Sequence, residues 1–596
     1  MSSSRKLSLL LAIAVLGTCS QAQESSSAPG VEAQEPAKVY TDTKPGDTPV
    51  QPRESEPDAA AKQATSAAPS SLPVDQILDR VVEREHAFVA QMRRLHPLVE
   101  TYIQNMKTDK ELGEVPINDH YFLGRLDLAD GPADHSFMAQ PGFKSRFVSK
   151  LTSFYSMKFL PLGFAQMVLV DTDFQRKYYD FTPVRKEFLG EVRCLVFDVQ
   201  PKENVGEGRF LGRIWVEDQN YNIVRFNGTY APHPKYSYYL HFDSWRLNLQ
   251  PGVWLPAYIY SQESDLKYRD VQTLHFKAQT RLWGYDLAAL RHSQEFAQIT
   301  VDSPDSVEDS SETGQDSSPV QAARIWQRQA EENSVDRLQK IGLLAPAGEV
   351  DKVLQTVVTN LMVTNHLDVQ PDVRCRILLT APLEAFTIGH TIVISRGMLD
   401  VLPDEASLAM VLAHELGHVA LDHQIDTKLA FNDRMLFPDD ETFDRLGFQH
   451  SHSEEEAADK KAVEILKNSP YKDKLANAGL FLRALQDRAP QLKHLIRPHL
   501  GDGLASKKDV RMAELTAGAP QLVTRSTGQV AALPLGGRVK LDPWSNRVEL
   551  LKTKAVPLTS AREKMPFEVT PFFPFLTRWQ ADGPRPEKVA STGPSR

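Results

Sequence analysis

Ten residues in the second half of the chain constrain it most. Positions 411–420 read V-L-A-H-E-L-G-H-V-A, with His414 and His418 four apart and Glu415 beside the first. On an α-helix, positions i and i+4 lie on one face, so both imidazoles can reach one metal ion. Glu415 then sits where a carboxylate takes a proton from a water at that metal. The flanking Val411, Leu412, Ala413, Leu416, Gly417, Val419 and Ala420 are uncharged, as a buried helix requires. After Pro403, Asp404 is placed to cap this helix, with Leu408, Val411, Leu412, Leu416 and Val419 on its buried side. Gly417 costs the helix about 1 kcal/mol relative to alanine, which implies another backbone packed close beside it. The chain has no C-x-x-C, so a metal must be held by histidines and carboxylates.

A chain of 596 residues is too long for one core and implies several domains. Its net charge of −9 and pI near 6.0 argue against a general nucleic-acid binder. Arg5 and Lys6 precede an apolar run at 7–16, and Ser20 and Ala22 offer a small-x-small cleavage site. Residues 1–22 therefore read as a signal peptide, too short to span a bilayer, which needs about 20 apolar residues. No later stretch is long and apolar enough to do so. The expectation is an exported, soluble protein, periplasmic or secreted. Cys19 adds the option of a lipoprotein, and with it lipid or outer-membrane association. Only Cys194 and Cys375 remain after cleavage, which excludes a disulfide framework.

Residues 23–73, rich in Ser, Ala, Pro, Glu and Gln, read as a disordered linker. Residues 74–107 carry a helical pattern. From 188 to 286 the period changes to two, with turn clusters at hairpin spacing, so an antiparallel sheet of at least six strands is expected within a domain spanning 74–300. This layout resembles the lipoprotein-carrier (LolA-like) fold, a curved sheet that holds an apolar ligand. Tyr236, Tyr238, Tyr239, Trp245 and Trp254 could line such a concavity, but sheet core and cross-strand pairing suit most of them better. An acidic linker at 301–321 leads to helical patterns at 322–341 and 350–365. Short strands follow at 376–380 and 391–395, then the motif helix. A tail at 521–596 carries a hairpin pattern at 537–551. The fold class is α+β.

Catalytic zinc usually has three protein ligands and one open position. A third histidine six residues after His418, with a glycine midway, is absent: those positions are Gln424 and Leu421. Glu441 and Glu455 are the next candidates. Ser453 and Glu456 form an S-x-x-E capping box, so a helix should start there, with Glu455 and Asp459 on one face. This favours Glu455 and leaves Glu441 open.

The run H-E-L-G-H-V-A-L-D-H, followed by E-E-A-A-D, resembles the zinc metallopeptidase family of CAAX prenyl proteases, HtpX, Oma and BepA-like periplasmic proteases. The resemblance covers 322–520 and implies a mainly helical zincin domain with a small β-sheet. It implies one zinc per chain on His414, His418 and Glu455, with Glu415 as catalytic base and Asp459 orienting His414. His423 matches a histidine common in the periplasmic members. Thr391, Ile392 and Val393 would offer an edge strand to an extended substrate. Two departures stand out: Glu384 replaces an asparagine, and Ala505 stands where a histidine is expected. Arg511 fits the family's arginine, and with His499 it is a candidate to stabilise the oxyanion. The residues between His418 and Glu455, with Met435, Leu436, Phe437 and Phe443, would form a lid. The function implied is hydrolysis of protein or peptide substrates, misfolded envelope proteins among them, in periplasmic quality control. The alternative is a periplasmic chaperone or a lipid- or lipoprotein-binding scaffold with a vestigial site.

Overall fold

The computed structural model describes residues 72–109, 113–128, 133–136, 167–206, 208–231, 240–263, 275–286, 319–425, 448–498, 500–505, 511–522, 539–541, 548–550 and 567–579. The leader with Cys19, the tether, Tyr236, Tyr238, Tyr239, Glu441, His499 and the lid residues lie outside these, as does nearly all of the acidic linker. Two halves, one built on a large sheet and one mostly helical, belong to a single compact unit, Ser71–Arg596. The class is α+β.

Helix α1, Val74–Met92, presents Ile77, Leu78, Val81, Phe88 and Met92 on one stripe. The helical pattern expected through 107 does not continue. Pro97 disfavours helix at the residue before it, and Leu98–Asp109 is strand β1. Val99, Tyr102, Ile103 and Met106 have helix-like spacing, yet the strand is buried on both faces, so its apolar residues need not alternate.

Strands β2 (Gly113–Asp127), β3 (Ala133–Ser136), β4 (Tyr179–Leu189), β5 (Val192–Pro201), β6 (Arg209–Glu217), β7 (Ile223–Ala231), β8 (Leu240–Gln250), β9 (Val253–Glu263) and β10 (Phe276–Trp283) complete a ten-stranded sheet. Its order is β3-β2-β1-β10-β9-β8-β7-β6-β5-β4, with every described pairing antiparallel. The two faces differ in chemistry. One carries Phe197, Phe210, Phe226, Phe242, Leu255 and Ile259 against α1. The other carries Tyr102, Trp215, Trp245, Trp254, Tyr258 and Trp283, in a core continuous with the second half. Trp245 and Trp254 are thus core residues.

The second half comprises helices α2 (Pro319–Ile341), α3 (Glu349–Thr364), α4 (Arg396–Val401), α5 (Glu405–Ala420), α6 (His452–Lys467) and α7 (Leu475–Arg488), with strands β11 (Arg374–Leu378), β12 (Ala385–Ile388) and β13 (Thr391–Ser395). The small sheet has the order β11-β13-β12. Thr391, Ile392 and Val393 therefore do not form an edge. They sit in the central strand, parallel to β11 and antiparallel to β12, and β13 is buried throughout, in keeping with the apolar run Ile392-Val393-Ile394 at its centre.

Polar contacts join the halves. Glu100 on β1 accepts hydrogen bonds from Arg396 Nη2 (2.9 Å), Tyr121 Oη (2.9 Å) and the Ala381 N–H (2.5 Å). Asp119 accepts from the backbone N–H of His494 and Leu495. In the tail, β14 (Val539–Leu541) and β15 (Val548–Leu550) pair antiparallel, as the hairpin pattern implies.

Candidate active site

Two helices and one strand build the site. Helix α5 starts where expected, with Asp404 Oδ1 accepting from the Ser407 N–H at 2.8 Å. Helix α6 starts two residues earlier than the S-x-x-E pattern suggests. Ser451 and Glu454 form the capping box, because Ser451 keeps extended backbone while His452 is already helical. The shift leaves Glu455 and Asp459 on one inward face. A side chain at Gly417 would place its Cβ 2.9 Å from the Ala458 carbonyl oxygen, so the glycine admits α6 close against α5.

That approach brings the expected ligands together. His414 Nε2 and His418 Nε2 are 3.2 Å apart. Glu455 places Oε1 3.3 Å from His418 Nε2 and Oε2 3.6 Å from His414 Nε2. Three ligands of a tetrahedral zinc with bonds of about 2.0–2.1 Å lie roughly 3.3 Å from one another. Both Glu455 oxygens are buried, with Oε2 also in an ion pair with Arg511. Two imidazoles and a carboxylate at this spacing fit a zinc ion.

The surrounding groups hold these donors in place. Asp459 Oδ1 is 3.0 Å from His414 Nδ1, the partner that fixes a ligating histidine's ring. His423 Nδ1 lies 3.0 Å from His418 Nδ1. Arg511 clamps Asp459 through Nε (2.9 Å) and Nη2 (3.0 Å), reaches His414 Nε2 at 2.9 Å and ion-pairs with Glu455. It is thus built into the ligand cluster rather than standing apart from it. Burial alone would raise the Glu455 carboxyl, but His418, His414 and Arg511 outweigh it and hold the group down at about 2. Burial lowers His418 to about 4, keeping its nitrogens free of an extra proton. Burial pushes Glu415 the other way, to about 7. Thr387 on β12 donates to Glu415 Oε2 at 2.8 Å and fixes its direction.

Two further residues reach the site that the sequence did not signal. His450 stacks on His418 with ring centroids 3.8 Å apart, and its Nδ1 lies 2.7 Å from Asp502 Oδ2. His418, His450, Glu455 and Asp502 offer donor atoms within 4.8 Å of one another. Neither position falls in a periodic pattern, and only the glycines flanking Asp502 mark it as a turn. Glu384 now has a physical role: its buried carboxylate accepts the Leu500 N–H at 2.9 Å and pins the loop that carries Asp502.

The model of Peptidase family M48 matches residues 349–437, well under half of the chain. The matched stretch contains the H-E-x-x-H unit and supports a zinc metallopeptidase, with protein as its substrate class. A search of the curated proteins returned no match. Among solved structures, a LolA superfamily protein from Nitrosomonas europaea is similar at 11% identity, covering 36% of this chain and 93% of that one, with a TM-score of 0.17. A DUF1329 family protein from Desulfovibrio piger is similar at 9% identity, covering 34% and 92%, with a TM-score of 0.17. At these scores neither likeness carries an argument, and the sheet is described by its own register.

Proposed function

We propose that this protein is an exported zinc-dependent endopeptidase that acts on misfolded or unassembled envelope proteins in the periplasm. The observation that carries the reading is the convergence of His414 Nε2, His418 Nε2 and the Glu455 carboxylate, with Glu415 next to His414 in the chain. Zinc held by these three residues would supply a Lewis acid for the scissile carbonyl and lower the pKa of a bound water. Glu415, oriented by Thr387, takes the proton from that water and delivers it to the leaving amine. Asp459 and His423 keep the two imidazoles turned toward the ion. Arg511 steadies Asp459 and adds positive charge where an oxyanion forms. An extended substrate adds its main chain to β12, one of the two outer strands of the small sheet and the one whose Thr387 touches Glu415, instead of to the central β13.

Export is supported by the basic-then-apolar leader at 5–16. Among the described residues no helix is long and apolar enough to cross a membrane. Cys19 supplies an attachment point for lipid, and hence for the outer membrane, if cleavage occurs before it. The test is elemental analysis with a proteolysis assay on an unfolded protein, for wild type and Glu415→Gln. One zinc in each and cleavage by wild type alone supports the reading. Zinc-free wild type after metal incubation, or cleavage unchanged in the variant, overturns it.

A further inference from the structure

The Trp/Tyr face of the large sheet carries a passenger. Residues 567–579 read F-E-V-T-P-F-F-P-F-L-T-R-W and lie on that face, with a turn at Phe567 (φ +68°), a single bridge at Val569 and no helix or strand after it. Gln104 on β1 grips its main chain from both sides, with Nε2 donating to the Phe567 carbonyl at 2.7 Å and Oε1 accepting from the Val569 N–H at 2.9 Å. Lys277 on β10 pairs with Glu568. Tyr258 on β9 donates to the Thr570 carbonyl at 3.3 Å and meets Phe572 edge-on. Trp245 on β8 meets Phe573 edge-on, and Arg225 on β7 lies over the same ring. Further along, Leu576 O accepts the Glu191 N–H at 2.8 Å, Arg578 pairs with Glu217 and Asp218, and the Trp579 N–H reaches Asn248 Oδ1 at 2.7 Å.

Through Phe573, the segment therefore crosses the strands in the order in which they lie side by side: β1, β10, β9, β8, β7. From Val569 on β1 to Phe573 on β8 is three interstrand steps of about 4.8 Å, roughly 14 Å, and four extended residues at about 3.3 Å each cover roughly 13 Å. The chain runs across the sheet instead of adding to its edge.

Three features mark this as ligand recognition. Gln104, Tyr258 and Asn248 address main-chain atoms, which reads an extended backbone, while Lys277 on Glu568 and the rings over Phe572 and Phe573 read its side chains. Gln104 is fully buried, and without the segment its amide would lose both of these partners. Phe567, Val569 and Leu576 are the segment's buried anchors, while Phe573 and Phe575 between them remain 63% and 59% exposed, a pattern of anchors and open rings along one peptide. We propose that this face is a polypeptide-binding surface, that residues 567–579 occupy it as an internal ligand, and that the partner it fits is an extended, aromatic-rich segment of an unfolded protein. The inference is independent of the metal site.

The test uses the full chain with a specific protease site engineered between Leu550 and Phe567. After cutting, a fluorescent peptide with the sequence of residues 567–579 is added and its anisotropy followed. Saturable uptake, reversed by unlabelled peptide and about tenfold weaker for a peptide carrying Val569→Pro, supports the proposal, because proline removes the N–H that Gln104 accepts. The uncut chain should bind at least about tenfold more weakly, since the tethered copy competes at high effective concentration. No exchange by a cut chain that stays folded overturns the proposal. So does displacement of the cut segment by phosphatidylcholine vesicles but not by peptide, which would make the face a lipid site. If cutting unfolds the chain, the uncut Val569→Pro variant decides: the wild-type peptide should bind it about tenfold tighter than uncut wild type, and equal binding overturns the proposal.

Discussion

The molecule buries carboxylates in two different ways. Behind the sheet, Glu85 on α1 meets Arg246 on β8 in a bidentate pair at 2.7 and 2.8 Å, and both carboxylate oxygens are satisfied there. At the site, Glu455 lies among two imidazoles and the Arg511 guanidinium, which pairs with Oε2, while Oε1 faces His418 Nε2 at 3.3 Å. The first carboxylate is closed by one guanidinium. The second shares its place with two imidazole Nε2 atoms, 3.2 Å apart and 3.3 and 3.6 Å from its oxygens. Donor atoms of three metal-ligating side chains at that spacing match a zinc site, which is why the cluster reads as function and the pair as architecture.

Substitutions in the two places should therefore fail differently. Glu455→Gln is expected to abolish stoichiometric zinc, measured per chain by elemental analysis. Glu415→Gln should keep the zinc and lower turnover by about 10²–10⁴-fold. If instead Glu455→Gln retains one zinc, the third ligand lies elsewhere, and Glu441 is the next candidate. Glu85→Ala strands Arg246 without its partner and should cost about 3–5 kcal/mol in urea unfolding, with zinc per chain unchanged. Loss of metal at constant stability there would erase the distinction drawn above. Asp459→Asn should weaken zinc about 10–100-fold in competition with a chelator, since His414 loses its charged acceptor. The smallest effect belongs to Gly417→Ala. Its Cβ presses on the Ala458 carbonyl oxygen, and despite the gain in helix propensity a net loss of about 1 kcal/mol is expected in thermal unfolding.

Much of the site was legible because helix geometry is local. His414, Glu415 and His418 sit within one turn and a bit, and Glu455 with Asp459 repeats the i, i+4 rule on a second helix. Even a capping residue misplaced by two, Ser453 for Ser451, left that face unchanged. Strands were read less well. Val99, Tyr102, Ile103 and Met106 mimic a helix because β1 is covered on both faces, and β13 looked like an edge because its partners β11 and β12 cannot be deduced from the five residues Thr-Ile-Val-Ile-Ser.

The sequence by itself determined which residues can bind metal, where the motif helix starts, and that a sheet precedes a helical half. Those properties depend on side-chain chemistry and on spacings of a few residues. Only the tertiary structure decided that His450 and Asp502 join the site, that Glu384 pins the loop of Asp502, that β13 is the central strand and β12 an outer one, and that residues 567–579 lie across a face gripped by Gln104. His450 and Asp502 are separated by 52 residues, and Gln104 and Phe567 by 463. Contacts at such separations are selected by how whole elements pack, and no local period in the chain encodes them.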